Sequence, residues 1–429
     1  MAITVQQHDL QGNILCGYGR GFAYGLYLFL QVEGQTAAAR WLGGLSEQIT
    51  SAVPWPQPPP HTVNVGFTCA GLRALGVPDG QLKAFPADYQ EGMAKRSGRL
   101  GDTGPNAPEH WEGGLGGAHV LVSVRACGAG ARDALQARLA ADAAAHGLAV
   151  VYAQRTALLD HGREHFGFRD DISQPAIRDP RAGPERRTPA QVEVLPGEFV
   201  LGYPDEGGSP LERSPLMVNG SYQVVRKLEQ DVDGFAELLH SEAGVDRSRQ
   251  ELLAAKLVGR WRDGTPLERS PDAPRPRQAG DLGWANEFGY ADDADGSRCP
   301  IGAHIRRAHP RDALDKGGRL TMRHRIIRRG MPYAPAREGE RPGLFFTCFQ
   351  ASIARQFEFV QADWCNDGDA FGLGHDPDVF SGRDDGKMTI QGAAPSLIPL
   401  RSFVRLRGGD YFFAPGLAAL REIARLGGG

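Results

Sequence analysis

Alternation is the first pattern the chain offers. Leu26, Leu28, Leu30 and Val32 alternate with Tyr27, Phe29 and Gln31, which is the period of a strand. Ala38, Trp41, Leu42, Leu45 and Ile49 then fall at helical spacing, with Thr36 placed as a cap, and the proline-rich VPWPQPPP ends the run. Val63, Val65 and Phe67 alternate again. A glycine-rich stretch, roughly residues 77–117, reads as a long loop. Val120, Val122 and Val124 mark a further strand. ARDALQARLAADAAAHG reads as a helix that Gly147 is placed to end, and LAVVYAQ closes the unit as a strand. The order βαββαβ is that of a ferredoxin-like module.

The second half repeats the order without repeating the sequence. SYQVVRKLEQ reads as a strand, FAELLH through ELLAAKLVG as helical, RLTMRHRIIR and GLFFTCFQ as strands, SIARQFEFVQADWCN as a helix and SFVRLRGGDYFF as a strand. The fold class expected is therefore α+β, two ferredoxin-like modules with antiparallel sheets. We place the first at residues 1–157, a connection at 158–220 and the second at 221–429. The connection is too long to be idle, since loops beyond about 15 residues carry function or disorder. It holds FGFRDDISQP, in which Asp170 and Asp171 stand side by side. A second insert, roughly 260–317, holds CPIGAHIRRAHPRD.

Charge narrows the partners. Lys and Arg number 48 against 51 Asp and Glu, a net of -3, which gives no basic surplus for nucleic acid. No apolar run approaches the ~20 residues of a membrane span. The stretch MAITVQQHDLQGNILCGYGRG shows no basic segment leading an apolar core and no twin-arginine pair. The six cysteines are scattered without a CxxC, as expected for reduced thiols. These readings together lead us to expect a cytoplasmic protein.

Two histidine settings suggest chemistry. In HGREH, His161, Glu164 and His165 match the H-x-x-E-H pattern of a zinc-protease class, a five-residue match that Gly162 weakens as a helix. The competing reading is a polar loop. His304 sits in CPIGAHIRRAHP beside small Gly302 and Ala303, which would let a large flat ligand approach the backbone. One imidazole is a poor zinc site but a sufficient axial ligand for haem iron. The competing reading is a core histidine bonded to a carbonyl. His309, next to Pro310, reads as a surface turn. Peroxide chemistry would further need a carboxylate on the far nitrogen of His304, together with a base and a cation across the haem. Arg328 in HRIIRRGMPY and Glu358 in ARQFEFVQ offer such groups, or are a solvated strand-end arginine, like Arg329, and an exposed helix carboxylate.

Taken together, these stretches resemble the dye-decolourising peroxidase family. GFRDD resembles its GxxDG motif, with Asp170 at the catalytic aspartate and Asp171 in place of the last glycine. CPIGAHIRR is similar to the segment of the proximal haem histidine, His304, and HRIIRRGMPY to that of the distal arginine, Arg328. GLFFTCF resembles the haem-pocket strand, with Leu344 and Phe346 over the distal face. DLQGNIL, EGMAKRSGRLGDTG, GEFVLGYPDE and KLVGRWRDGTPL extend the likeness from about residue 8 to 415, and the length is that of the subgroup with larger inserts.

The resemblance implies haem b (iron protoporphyrin IX) held in the C-terminal module. It implies reduction of H2O2 through a ferryl intermediate and oxidation of dyes or aromatic electron donors, with an oligomer possible. Asp170 would be the acid–base and Arg328 the charge stabiliser, while His304, backed by Glu358, would ligate the iron. Asp171 would point to solvent. An aspartate beside an arginine stays ionised in mild acid, so the expected pH optimum lies below neutral. Bulky dyes would react at the surface through a Trp or Tyr, with Trp364 and Tyr333 as candidates. The alternatives are a haem-binding protein without catalysis, or a zinc hydrolase using HGREH.

Overall fold

The computed structural model describes residues 4–170, 172–178, 193–208, 214–275, 283–336, 338–383, 386–392 and 394–428. Its strands are β1 (Tyr24–Val32), β2 (His61–Phe67), β3 (Val120–Ala126), β4 (Leu148–Ala157), β5 (Ala176–Ile177), β6 (Glu193–Val194), β7 (Ser221–Gln230), β8 (Ile327–Arg328), β9 (Met331–Tyr333), β10 (Gly343–Gln350), β11 (Lys387–Ile390), β12 (Ser396–Pro399) and β13 (Val404–Ala414). Nine of them form one sheet in the order β4-β1-β3-β2-β13-β7-β10-β8, with β9 also on β10. Each half repeats one arrangement: its fourth strand lies beside its first, then its third, then its second. The halves meet where Phe413 of β13 pairs with Phe67 of β2.

Alternation in β1 has a double meaning. Leu26, Leu28 and Leu30 join the main core, while Tyr27 and Phe29 join a second cluster with Val225, Phe345 and Phe412 from the other half. Both faces are thus buried, because the sheet curls until its end strands meet. Thr156 of β4 donates to the Met331 sulfur of β9 at 3.6 Å. Curling also covers the edges that an open sheet would leave unpaired.

Several elements differ from the sequence reading. The helix Gln35–Ser46 starts after Gly34, so Thr36 lies inside its first turn and caps nothing. Gly147 ends the helix Ala129–Ala145 as expected, at φ +70°. The stretch read as a loop over 77–117 contains short helices, among them Asp79–Leu82 and Ala87–Glu91, and sends Leu82, Phe85, Tyr89 and Met93 into the main core. Glycine and proline dilute an apolar spacing that is in fact helical. RLTMRHRIIR is not one strand: Arg319–Met322 is a helical turn and only Ile327–Arg328 pairs. The next helix is broken at Gly244, φ +68°, into Val232–Ala243 and Arg247–Val258. Ala354–Glu358 and Val360–Asn366 are wound as π-helical turns.

Candidate active site

His304 opens the short helix His304–Ala308. Its Nδ1 lies 2.9 Å from both carboxylate oxygens of Asp378. Asp378 is buried and also accepts from the backbone N–H groups of Phe380 and Ser381 and from the Ser381 hydroxyl, at 2.8–3.0 Å. Burial pushes the Asp378 carboxyl up, but the charge and hydrogen bond of His304 and the donors of Ser381 outweigh it and hold it down at about 2. Burial likewise pushes the His304 imidazole down, and Asp378 reverses this to a net rise. Such a carboxylate fixes the tautomer and raises the basicity of the opposite ring nitrogen. A third of the His304 side chain remains accessible, although the ring is deep in the protein, so it borders open space.

Asp378 therefore takes the part expected of Glu358, which is a correction. Glu358 binds Arg96 and Tyr411 instead. Counting at 3.6 residues per turn misplaces a side chain on a helix wound more loosely, and the flanking phenylalanines carry no directional signal. The room at Gly302 also has another use, since a Cβ there would meet Met388 at 3.3 Å.

Arg328 and Asp170 come together on another side. Arg328 Nη1 stands 3.5 Å from Asp170 Oδ1, and both side chains are 38% exposed. An exposed pair at this distance adds about 0–1 kcal/mol, so stability does not explain its arrangement. Arg328 is anchored by its backbone, its N–H donating to Gln174 Oε1 at 3.0 Å. Its charge also reaches His304, lowering the pKa there. On β10, Leu344 and Phe346 are half-exposed while Gly343, Phe345 and Thr347 between and beside them are buried. That alternation leaves one face of the strand less buried than the other, with Phe346 packed at the margin of the main core. Asp171, expected to point to solvent, lies outside the described residues.

The segment read as a zinc motif serves the Asp170 loop. Glu164 accepts the N–H groups of Phe166 and Phe168, each at 2.9 Å, and the Gln230 side chain at 2.7 Å. His165 Nε2 contacts the Tyr333 carbonyl at 2.9 Å, and the His161 side chain lies outside the described residues. Phe166 packs on Phe380 at 5.1 Å, and Phe380 meets the His304 ring edge-on at 5.5 Å. One aromatic contact thus links the aspartate loop to the histidine.

A cavity of about 420 Å³ opens beside these residues rather than between them, lined in part by Gln174, His309, Arg311 and Arg325. His309 is not a surface turn; its Nε2 contacts Arg325 at 3.3 Å. Burial, then Arg311 and Arg328, pull Arg325 down to about 9. A guanidinium still keeps its proton at neutral pH. Arg311 and Arg325 thus bring two cations to the cavity wall, which Glu287 and Asp312 also line. A flat group with acidic substituents, such as a haem with its two carboxylates, fits this donor set. Arg329 is not solvated either, since it donates to the carbonyls of Asn13, Ile14 and Arg328. Trp364 is 6% exposed and Tyr333 is fully buried, so neither offers a surface for a dye.

Comparison with known proteins agrees with this chemistry. Residues 210–371 match the sequence family described as Dyp-type peroxidase, C-terminal. A dye-decolorizing peroxidase of Mycetinis scorodonius is 30% identical over 97% of this chain and 87% of its own length. A multifunctional dye peroxidase of Amycolatopsis is 31% identical over 97% and 95%. Among solved structures, a dye-decolorizing peroxidase in complex with 2,6-dimethoxyphenol has a TM-score of 0.86 at 28% identity, covering 98% of this chain and 100% of that one. No helix among the described residues is long and apolar enough to cross a membrane. The chain belongs to the dye-decolourising, or DyP-type, peroxidases, a family of haem enzymes.

Proposed function

We propose that the second half of the protein binds haem b between His304 and the Asp170–Arg328 pair, and that the enzyme reduces H2O2 while oxidising dyes or other aromatic donors. The observations that carry this reading are a histidine braced by a buried carboxylate and a half-exposed acid–arginine pair whose guanidinium charge reaches that histidine. In this reading His304 presents Nε2 to the iron, Asp378 holds the ring in place, and Arg311 and Arg325 receive the haem carboxylates. Haem, when bound there, would supply the two electrons that reduce H2O2.

The remaining work falls to side chains. Asp170 accepts a proton from one oxygen of H2O2 and returns it to the oxygen that leaves as water. Arg328 stabilises the negative charge that builds as the O–O bond breaks. Leu344 and Phe346 keep the space small and apolar. A carboxylate base beside a guanidinium works in mild acid, and a rate maximum above pH 8 would count against it.

The test is a visible absorption spectrum of the haem-loaded protein before and after one equivalent of H2O2, repeated for Asp170→Asn. A Soret band that shifts in the wild type and stays put in the variant is expected. A haem band unmoved by peroxide in the wild type would instead describe a haem-binding protein without catalysis, and the absence of any Soret band would remove the reading.

A further inference from the structure

Glu358, which the sequence places beside His304, does not join it. It is 1% exposed and accepts the phenol O–H of Tyr411 at 2.9 Å. Arg96 clamps both carboxylate oxygens, Nε to Oε1 at 2.5 Å and Nη2 to Oε2 at 2.6 Å. The same guanidinium reaches outward to Glu91 at 2.8 Å, a side chain 46% exposed. A buried tyrosine thus has a carboxylate at its proton, and that carboxylate has a charged connection to the surface.

Tyr411 is also near the pocket by packing. Phe346 of β10 pairs with Arg226 of β7, and Cys348 pairs with Val224, which pairs in turn with Tyr411 of β13. Directly paired residues, and those two apart on one strand, share a face of a sheet. Phe346 and Tyr411 therefore lie on one face, two strands apart. Phe357 bridges them, its ring 6.2 Å from Phe346 and 6.4 Å from Tyr411.

We propose that Tyr411 is an internal one-electron donor to the peroxide-oxidised cofactor, with Glu358 as the acceptor of its proton. The inference rests on the reading of Phe346 as a pocket residue. The phenol O–H bond breaks, the electron passes to the cofactor and the proton passes to Glu358 Oε1. A neutral tyrosyl radical and a carboxylic acid remain, and H2O2 is the oxidant. Arg226, 5.7 Å over the Phe357 ring, and its partner Asp102 are the other charged groups near the phenol. Burial first, and then Glu358, push the Tyr411 phenol well above its ordinary range, so it keeps its proton until an electron leaves.

Other buried tyrosines lack this combination. Tyr333 has no hydrogen-bond partner for its phenol among the described residues, and Tyr89 gives its proton to the Phe67 carbonyl, a weak base. Tyr152 meets a carboxylate, Glu112, but packs with Phe29 and Phe345 on the opposite face of the sheet. Tyr411 is fully buried and touches no dye. Its role is to discharge the oxidised cofactor when no donor is present, sparing the pocket side chains.

The experiment mixes haem-loaded protein with one equivalent of H2O2 without donor, freezes it, and records the electron paramagnetic resonance and absorption spectra together. The expected result is a tyrosyl signal, confirmed by ring-deuterated tyrosine, that is lost in Y411F and in E358Q and retained in Y152F. If Y411F fails to fold, E358Q, which keeps the side chain's size, carries the test. An absorption spectrum that responds to peroxide with the radical signal absent, or undiminished in the variants, overturns the inference alone. An absorption spectrum unmoved by peroxide overturns the pocket reading and the inference with it.

Discussion

The two sides of the proposed pocket are built to opposite standards. On the His304 side, one buried carboxylate, Asp378, gathers the imidazole, two backbone amides and a hydroxyl. On the Asp170 side, an ion pair at 3.5 Å joins two side chains that are both 38% exposed. An iron ligand must hold one geometry through every turnover, so its supports are short and saturated. A proton carrier must leave room for a peroxide and for departing water, so exposure and a longer ion pair suit it. In the proposed reading the first side anchors and the second reacts.

That contrast can be broken from either side. Asp170→Asn is expected to slow the reaction with H2O2 by about 10²–10⁴-fold while leaving haem content unchanged, read by stopped-flow absorption. Loss of haem from this variant would make Asp170 an anchor and collapse the distinction. Asp378→Ala is expected to weaken haem retention by about 10–100-fold, read by transfer of haem to a competing apoprotein; an unchanged transfer rate would leave His304 unsupported by its carboxylate.

Acid gives a subtler probe of the same anchor in the apoprotein. The folded Asp378 carboxyl sits near 2, below its unfolded value, so its contribution is present above pH ~4 and lost as pH falls through 2. Urea unfolding of the wild type against Asp378→Asn should show an advantage on the order of 2 kcal/mol at pH 5 that vanishes near pH 2. A gap that stays constant across that window would assign the effect to packing. The smallest expected effect is at the loop. Glu164→Gln keeps one acceptor for the amides of Phe166 and Phe168, and should cost about 1 kcal/mol in thermal unfolding with a slower peroxide step. A peroxide step unaffected by that loss would free Asp170 from its loop.

The reacting side was the easier one to read from sequence. Asp170, Arg328, Leu344 and Phe346 sit in short contiguous stretches that resemble the family's motifs, and strand alternation sets the facing of the last two. The anchoring side was hidden. Asp378 lies 74 residues beyond His304 in an irregular stretch that has no periodicity to orient it. Its one local signal is an aspartate followed by Phe380 and Ser381, whose amides it accepts in a turn. Arg325 reads as part of a strand that proves to be a turn, and His309 as a surface turn, because a dense run of charge suggests solvent; the two in fact meet at 3.3 Å.

The four-stranded pattern of each half was legible because alternating runs are long. The ties between halves were not. Arg96 with Glu358, Asp102 with Arg226, and Glu198 and Asp205 with Arg355 all join charged residues of family-like stretches across more than a hundred positions. Such charges read as solvated faces until their partners are known. Glu198 shows how confined they are: burial pushes it up to about 7 even though Arg355 lies 2.6 Å away.

The position of β13 has a consequence for how the molecule is made. It lies at the centre of the sheet, between β2 and β7, yet every residue assigned to the pocket comes earlier in the chain. Gln11 bonds both Val65 and the Pro415 carbonyl just beyond it. A nascent chain can assemble the first half while the ribosome is still at work. The two halves cannot be joined, however, until that central strand emerges, and its pairings close loops of several hundred residues, a slow step. Cofactor capture should therefore be among the last events of biosynthesis, timed by a strand that carries none of the proposed ligands.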